Sequence, residues 1–214
     1  MNGPKKLIKF KKKKKFIYLI SPNKIKNNNF YNQLKQIFKL KKVAFFQLRL
    51  KREKREKKLI IGKKIQKLCK KYKVKYIIND DPLLAKEINA DGCHLGQRDT
   101  NIVLARKVLK KQIIIGITCH NSKKLITKAI KNKANYIALG AFFSTKTKRI
   151  KHKANIKILN WSKKTTNIPI VAIGGIKVNN YKKLLLNKAN FLAISGYIWN
   201  NKKYKPIEAM RKLK

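Results

Sequence analysis

The chain has 214 residues, with 57 Lys and Arg against 8 Asp and Glu, a formal net charge of +49 and 43% hydrophobic content. That length and apolar content support one domain with a sizeable core, and no apolar run is long enough for a helical membrane span. Lysine fills nearly every segment between apolar runs, beside abundant Asn and Ile, so the charge reads as a chain-wide drift in residue usage rather than a nucleic-acid-binding stripe.

The start, Met1 to Lys15, is basic and is followed by the short apolar run Phe16–Ile20. It lacks a long apolar region and a small-residue cleavage site, so residues 1–15 are expected to be a solvated lead-in rather than a signal peptide. Strands are predicted at Phe16–Ser21, Val43–Leu50, Lys75–Asn79, Gly92–Leu95, Ile113–Thr118, Tyr136–Gly140, Ile168–Ile173 and Phe191–Ser195. Several are apolar throughout, the pattern of parallel strands covered on both faces. Between them run segments of helical spacing, for example Leu59, Ile65, Leu68 and Cys69; Leu83 to Ile88; Ile102, Leu104, Ala105 and Leu109; Leu125, Ile126, Ala129 and Ile130; and Tyr181, Leu184 and Leu185. Eight strands alternating with helices predict a single-domain α/β fold, a (β/α)8 TIM barrel over residues 16–214. The competing doubly wound sheet usually carries a glycine fingerprint after its first strand. Ser21-Pro22-Asn23 stands there instead.

Cys69, Cys93 and Cys119 are widely spaced and form no C-x-x-C pair. They are expected to be reduced, buried thiols of a cytoplasmic protein.

All four aspartates of the chain, Asp80, Asp81, Asp91 and Asp99, lie within twenty residues of one another, among eight carboxylates in all. Clustered carboxylate oxygens suit a hard cation such as Mg²⁺, which usually arrives with substrate phosphates. In a barrel the chemistry sits at the C-terminal ends of the strands. The second strand ends Gln47-Leu48-Arg49-Leu50-Lys51, whose alternation puts an amide, a guanidinium and an ammonium on one face of an extended segment. All three suit phosphate oxygens. The third strand ends Asn79-Asp80-Asp81, and the fourth is followed by Gln97 and Asp99. Asp81 before Pro82, and Asp99 before Thr100–Leu109, also read as helix caps, whereas Asp80 at a strand end does not. The fifth strand brings Thr118 and His120 to the rim, His120 being either a base or a structural partner. The sixth leads into Ser144-Thr145-Lys146-Thr147-Lys148, hydroxyls and ammonium groups suited to a phosphate clamp. Gly174-Gly175 after the seventh strand and Ser195-Gly196 after the eighth occupy the position of this fold's common backbone phosphate site.

Taken in order, Q-x-R-x-K, N-D, D-G-x-H-L-G-Q-x-D, G-x-[ST]-x-H, T-x-T-K, A-I-G-G-I and I-S-G resemble the thiamine-phosphate synthase (thiamine-phosphate pyrophosphorylase) family from about Phe16 to Trp199. The variants G-I-T-C-H, G-A-F-F and A-I-S-G-x-I-W are similar to an alphaproteobacterial branch. The resemblance implies a transferase that joins hydroxymethylpyrimidine diphosphate to thiazole phosphate and releases diphosphate, with Mg²⁺ as cofactor and a dissociative mechanism. It implies that Gln47, Arg49, Lys51, Asn79, Thr118 and Lys148 hold the pyrimidine diphosphate, with Arg49, Lys51 and Lys148 catalytic. Thr145, Lys146, Thr147, Gly175, Ile194 and Ser195 would hold the thiazole phosphate, and Asp80 and Asp99 the metal. The chain departs from the family at Ser144, where Pro often precedes T-x-T-K, and at Arg149–Lys153, which replaces a Gly-rich stretch. Thr118 stands where serine is usual. The partners expected are the two small molecules, with no specific nucleic acid and no membrane; a homo-oligomer is left open. Two rival readings are a thiazole tautomerase-type relative, a branch that tends to lose the metal and diphosphate residues, and a basic barrel binding nucleic acid.

Overall fold

A computed structural model of the chain describes residues 15–25, 27–145 and 152–214. Its eight strands are β1 (Ile17–Ile20), β2 (Val43–Leu48), β3 (Lys75–Asn79), β4 (Gly92–Leu95), β5 (Ile114–His120), β6 (Tyr136–Gly140), β7 (Ile170–Ile173) and β8 (Phe191–Ile194). They are parallel and close in chain order into a barrel, β8 pairing with β1. The helices are α1 (Asn29–Lys39), α2 (Arg55–Tyr72), α3 (Pro82–Ile88), α4 (Ile102–Val108), α5 (Lys123–Lys131), α6 (Lys157–Thr165), α7 (Tyr181–Leu186), α8 (Gly196–Trp199) and α9 (Pro206–Lys212). The barrel is thus the one predicted, with strand ends moved by a residue or two. Its second strand stops at Leu48 rather than Leu50, its fifth runs on to His120, and its seventh starts at Ile170 rather than Ile168.

The continuous apolar strands follow from burial on both faces. Alternate residues point inward, where Tyr18, Ile20, Ile77, Tyr136, Ala138, Val171 and Ala193 fill the lumen with Phe45 and Phe191 against them. The others, such as Leu19, Phe46, Ile78, Leu95, Leu139 and Leu192, form the layer between strands and helices. At roughly 25 cal/mol per Å² this two-sided burial is the main force holding the barrel. Leu84 and Ile88, one helical turn apart, are both buried, as their spacing predicted, whereas Leu104 is largely exposed. All three cysteines are free and buried. Burial pushes each thiol up, Cys119 to about 12, which leaves them packing groups.

Side-chain caps set the starts of α3, α4 and α5. Asp81 accepts from Leu84 N at 2.8 Å, and Ser122 accepts from Leu125 N. The α4 cap is Asn101, accepting from Leu104 N at 2.9 Å. Asp99, a candidate for that role, stands two residues before the cap and is free for other work.

Candidate active site

The four clustered aspartates separate in space. Asp81 caps α3. Asp91 lies at the opposite, N-terminal end of the barrel, where it accepts from Tyr76 N at 2.9 Å and Lys75 Nζ at 2.7 Å. Only Asp80 and Asp99 meet at the C-terminal rim. The expectation of one four-carboxylate cluster is therefore corrected: half of it is structural.

Asp80 follows β3 in the left-handed backbone region, φ +66°. Its amide donates to His94 O at 2.8 Å, anchoring the turn to β4. Asp99 is held by Gly96 N, which donates to Oδ2 at 2.7 Å. The two carboxyl groups lie close enough for each to shift the protonation of the other. Burial raises both; for Asp80, hydrogen bonds from Asp99 and Lys51 outweigh it and hold that carboxyl below its ordinary value. Asp99 goes up, because burial and the neighbouring Asp80 both disfavour its charge. Two carboxyls this close need a proton or a cation between them. Among the described residues no third His, Cys, Asp or Glu joins them. That donor set fits Mg²⁺, which binds through one or two carboxylates and completes its shell with water and phosphate oxygens.

The cations come from β2 and its loop. Because β2 ends at Leu48, the three residues expected on one extended face do not share a strand. Gln47 is in the strand, buried, and donates to Asn79 Oδ1 at 2.7 Å across to β3. Arg49 has left it; its backbone N donates to Ser21 Oγ at 2.9 Å, and its guanidinium reaches Asn23. Lys51 stands in the following turn, half exposed, with Nζ 2.7 Å from Asp80 Oδ2. They converge through these contacts rather than through strand alternation. Burial lowers the Arg49 guanidinium, and the charges of Asp80 and Asp99 oppose that. A recess of about 540 Å³ beside the Lys51–Asp80 pair is lined by Leu50, Pro82, Leu83 and Thr100.

Thr118, near the end of β5, bonds through Oγ1 to His94 Nε2 at 2.9 Å. Gln97 donates to Thr118 O. His94 Nδ1 meets Tyr136 Oη at 2.8 Å. Burial pulls the imidazole down to about 4, so it is neutral at pH 7. His120, in the left-handed region at the strand end, packs against His152 with ring centroids 4.6 Å apart.

The β6–β8 side is different. Gly175 has φ +62°, and a Cβ there would lie 2.3 Å from Ser144 O and 2.6 Å from Phe143 O. The room this glycine leaves is taken by the loop after β6, whose Phe142 N and Phe143 N donate to Ile173 O and Gly174 O. Ser195 Oγ donates to Ser21 O at 3.1 Å, and Trp199 Nε1 to Ile20 O at 2.7 Å, tying β8 to β1. Ile194 is buried in the layer between strands and helices, so only its backbone faces the rim. Thr145 is half-buried at the last described position of its loop. Lys146, Thr147 and Lys148 lie outside the described residues.

Ser21, Asn23 and His94 were not singled out as site residues from the sequence. Ser21 and Asn23 follow β1 with no motif of their own. A histidine inside an apolar strand was the available signal for His94.

The family model for thiamine monophosphate synthase matches residues 17–198. The chain is 66% identical to the thiamine-phosphate synthase of Pelagibacter ubique over 201 residues, 94% of this chain and 97% of that protein. It is 38% identical to that of Rhodospirillum centenum over 185 residues, 86% of this chain and 89% of the relative. A thiamine phosphate pyrophosphorylase structure from Pyrococcus furiosus shares the fold, with a TM-score of 0.81 at 23% identity over 93% of each chain. The chain belongs to the thiamine monophosphate synthase family and is an enzyme with thiamine-phosphate synthase activity.

Proposed function

We propose that the barrel mouth joins hydroxymethylpyrimidine diphosphate to thiazole phosphate, with the two phosphates held on opposite arcs of the rim. The observation that carries this reading is the Asp80–Asp99 carboxyl pair with Lys51 against it and Arg49 in electrostatic reach of both. Gln47, Arg49, Lys51, Asn79 and Thr118 take the pyrimidine diphosphate, and Lys148 joins them from the loop after β6. Asp80 and Asp99 hold Mg²⁺, which when bound stabilises charge on the leaving diphosphate. Arg49 supplies a planar fork to phosphate oxygens, and Lys51, neutralising Asp80 meanwhile, stays at the diphosphate's edge. Cations aimed at charge that grows as diphosphate departs lower the barrier without a general base. Thr145, Lys146 and Thr147, with the backbone at Gly175, Ile194 and Ser195, hold the thiazole phosphate. The enzyme works in the cytoplasm.

The test is thiamine phosphate formation from the two substrates with and without Mg²⁺. Product that appears with Mg²⁺ and vanishes in excess chelator supports the reading. Full activity in chelator sinks the metal assignment. Conversion of a thiazole tautomer without condensation would instead place the chain with the tautomerase-type relatives.

A further inference from the structure

Beneath the rim, four side chains form one hydrogen-bonded line through the lumen. Tyr18 Oη meets Tyr136 Oη at 2.7 Å, Tyr136 Oη meets His94 Nδ1 at 2.8 Å, and His94 Nε2 meets Thr118 Oγ1 at 2.9 Å. The line runs from a tyrosine that is 1% exposed to a threonine at the rim. Strand register builds it. Gly116 is paired with His94 on one side and Tyr136 on the other. A Cβ at Gly116 would overlap the Tyr136 ring, 1.8 Å from Cζ. Its absence lets the two rings stack, 15° apart in plane.

Counting protons decides the direction of the line. Three links join three hydroxyls and one neutral imidazole, which together carry four protons. One proton must therefore end outside the line. If the protons point inward, Thr118 donates to Nε2, Nδ1–H to Tyr136, and Tyr136 to Tyr18. The Tyr18 hydroxyl hydrogen is then stranded in the apolar lumen, since Tyr136 is the one bonded partner of Tyr18 Oη among the described residues. A buried, unsatisfied donor is strongly disfavoured. If they point outward, Tyr18 donates to Tyr136, Tyr136 to Nδ1, and Nε2–H to Thr118. The spare proton is then on the Thr118 hydroxyl, at the half-exposed rim.

We infer that His94 is a positioning residue, fixed as the Nε2–H tautomer by the Tyr18–Tyr136 pair, so that Thr118 serves the site as a hydrogen-bond donor. With its oxygen occupied by His94, the threonine offers a donor to a phosphate oxygen and has less acceptor character to repel it. An oxygen gathering charge as diphosphate leaves is the group this donor suits best. The inference rests on the reading that Thr118 faces the pyrimidine diphosphate.

The first test needs no variant. Long-range ¹H–¹⁵N correlation on the labelled protein, which has three histidines, should show His94 protonated at Nε2 and bare at Nδ1. The Nδ1–H form would overturn the inference. Kinetics supply the second test. His94→Leu should lower kcat about tenfold with the pyrimidine diphosphate KM within about twofold. His94→Gln, whose Oε1 accepts from Tyr136 and whose Nε2 donates to Thr118, should recover most of that loss. Equal losses in Leu and Gln variants would mean that the imidazole only packs. Thr118→Val separates the two readings. If it harms turnover while His94→Leu does not, the relay is wrong and the site stands. If Thr118→Val is silent, Thr118 is not at the diphosphate and both assignments fall.

Discussion

The two arcs of the barrel mouth are made from different materials. From β2 to β5 the rim is built of side chains: Gln47 on Asn79, Lys51 on Asp80, Asp80 on Asp99, His94 on Thr118. From β7 round to β1 it is built of backbone. Gly175 fits under the Phe143–Ser144 backbone, and the Ser195 hydroxyl is spent on Ser21 O. The first arc presents charges that a substitution can delete one at a time. The second presents a backbone shape that a side-chain truncation leaves standing and an added Cβ destroys. A reaction that expels diphosphate needs the first kind where charge develops. Holding a phosphate that does not react needs only the second.

The largest expected effect bears on the first arc. Asp80→Ala or Asp99→Ala should lower turnover by about a thousandfold. Calorimetry should show loss of Mg²⁺ binding in the presence of diphosphate. A variant that keeps most of its turnover would break the contrast, because the arc would then work through net charge alone.

Gly175→Val challenges the second arc. A β-branched residue at φ +62° against Ser144 O and Phe143 O combines backbone strain with overlap. It should destabilise the protein by about 3 kcal/mol. In what remains folded it should raise the thiazole phosphate KM more than that of the pyrimidine diphosphate. A rise confined to the pyrimidine substrate would show that the two arcs have been interchanged.

The side-chain arc also has an acid limit. Burial, reinforced by Arg49 and Lys51 and opposed by Asp80, pulls His94 from 6.5 to about 4. Below pH 6.5 the unfolded chain takes up a proton that the folded one refuses. Stability present above that pH is therefore lost as pH falls towards 4, by roughly 3 kcal/mol in all. Chemical denaturation at pH 7 and pH 5 measures it, and His94→Gln should flatten the difference. An unchanged difference in that variant would assign the acid sensitivity to other groups.

Lys51→Met should cost about tenfold in kcat/KM, since Lys51 is half exposed and, in the proposed site, Arg49 is left to meet the same phosphates. The smallest effect should come from Ser195→Ala. It removes one bond to Ser21 O and leaves the backbone at β8 in place, so the thiazole phosphate KM should rise only about threefold. A loss as large as that of the aspartates would show that the hydroxyl, not the backbone, makes the second site.

Much of this was legible in the residues. Apolar runs in strand-helix alternation specified the barrel, because two-sided burial leaves its mark on composition directly. The carboxylates stood out because the chain keeps so few. Which of them work was not legible. Asp80, Asp81, Asp91 and Asp99 are neighbours in the chain, but a strand carries Asp91 to one end of the barrel and Asp99 to the other. Asp81 and Asp80, adjacent in sequence, face a helix N-terminus and the mouth respectively. The expected face of Gln47, Arg49 and Lys51 failed for a related reason: the strand ended early, and tertiary contacts brought the three groups together.

The sequence by itself determined the eight strands, their order and the helices between most of them, since hydrophobic period and turn chemistry are local properties read along the chain. Only the tertiary structure decided which side chains meet, because contacts across the lumen depend on register between strands far apart in sequence. Tyr18, His94, Thr118 and Tyr136 span more than a hundred residues of chain. They form one line because Gly116, set between His94 and Tyr136 by the pairing of β4, β5 and β6, leaves the space for two rings to stack.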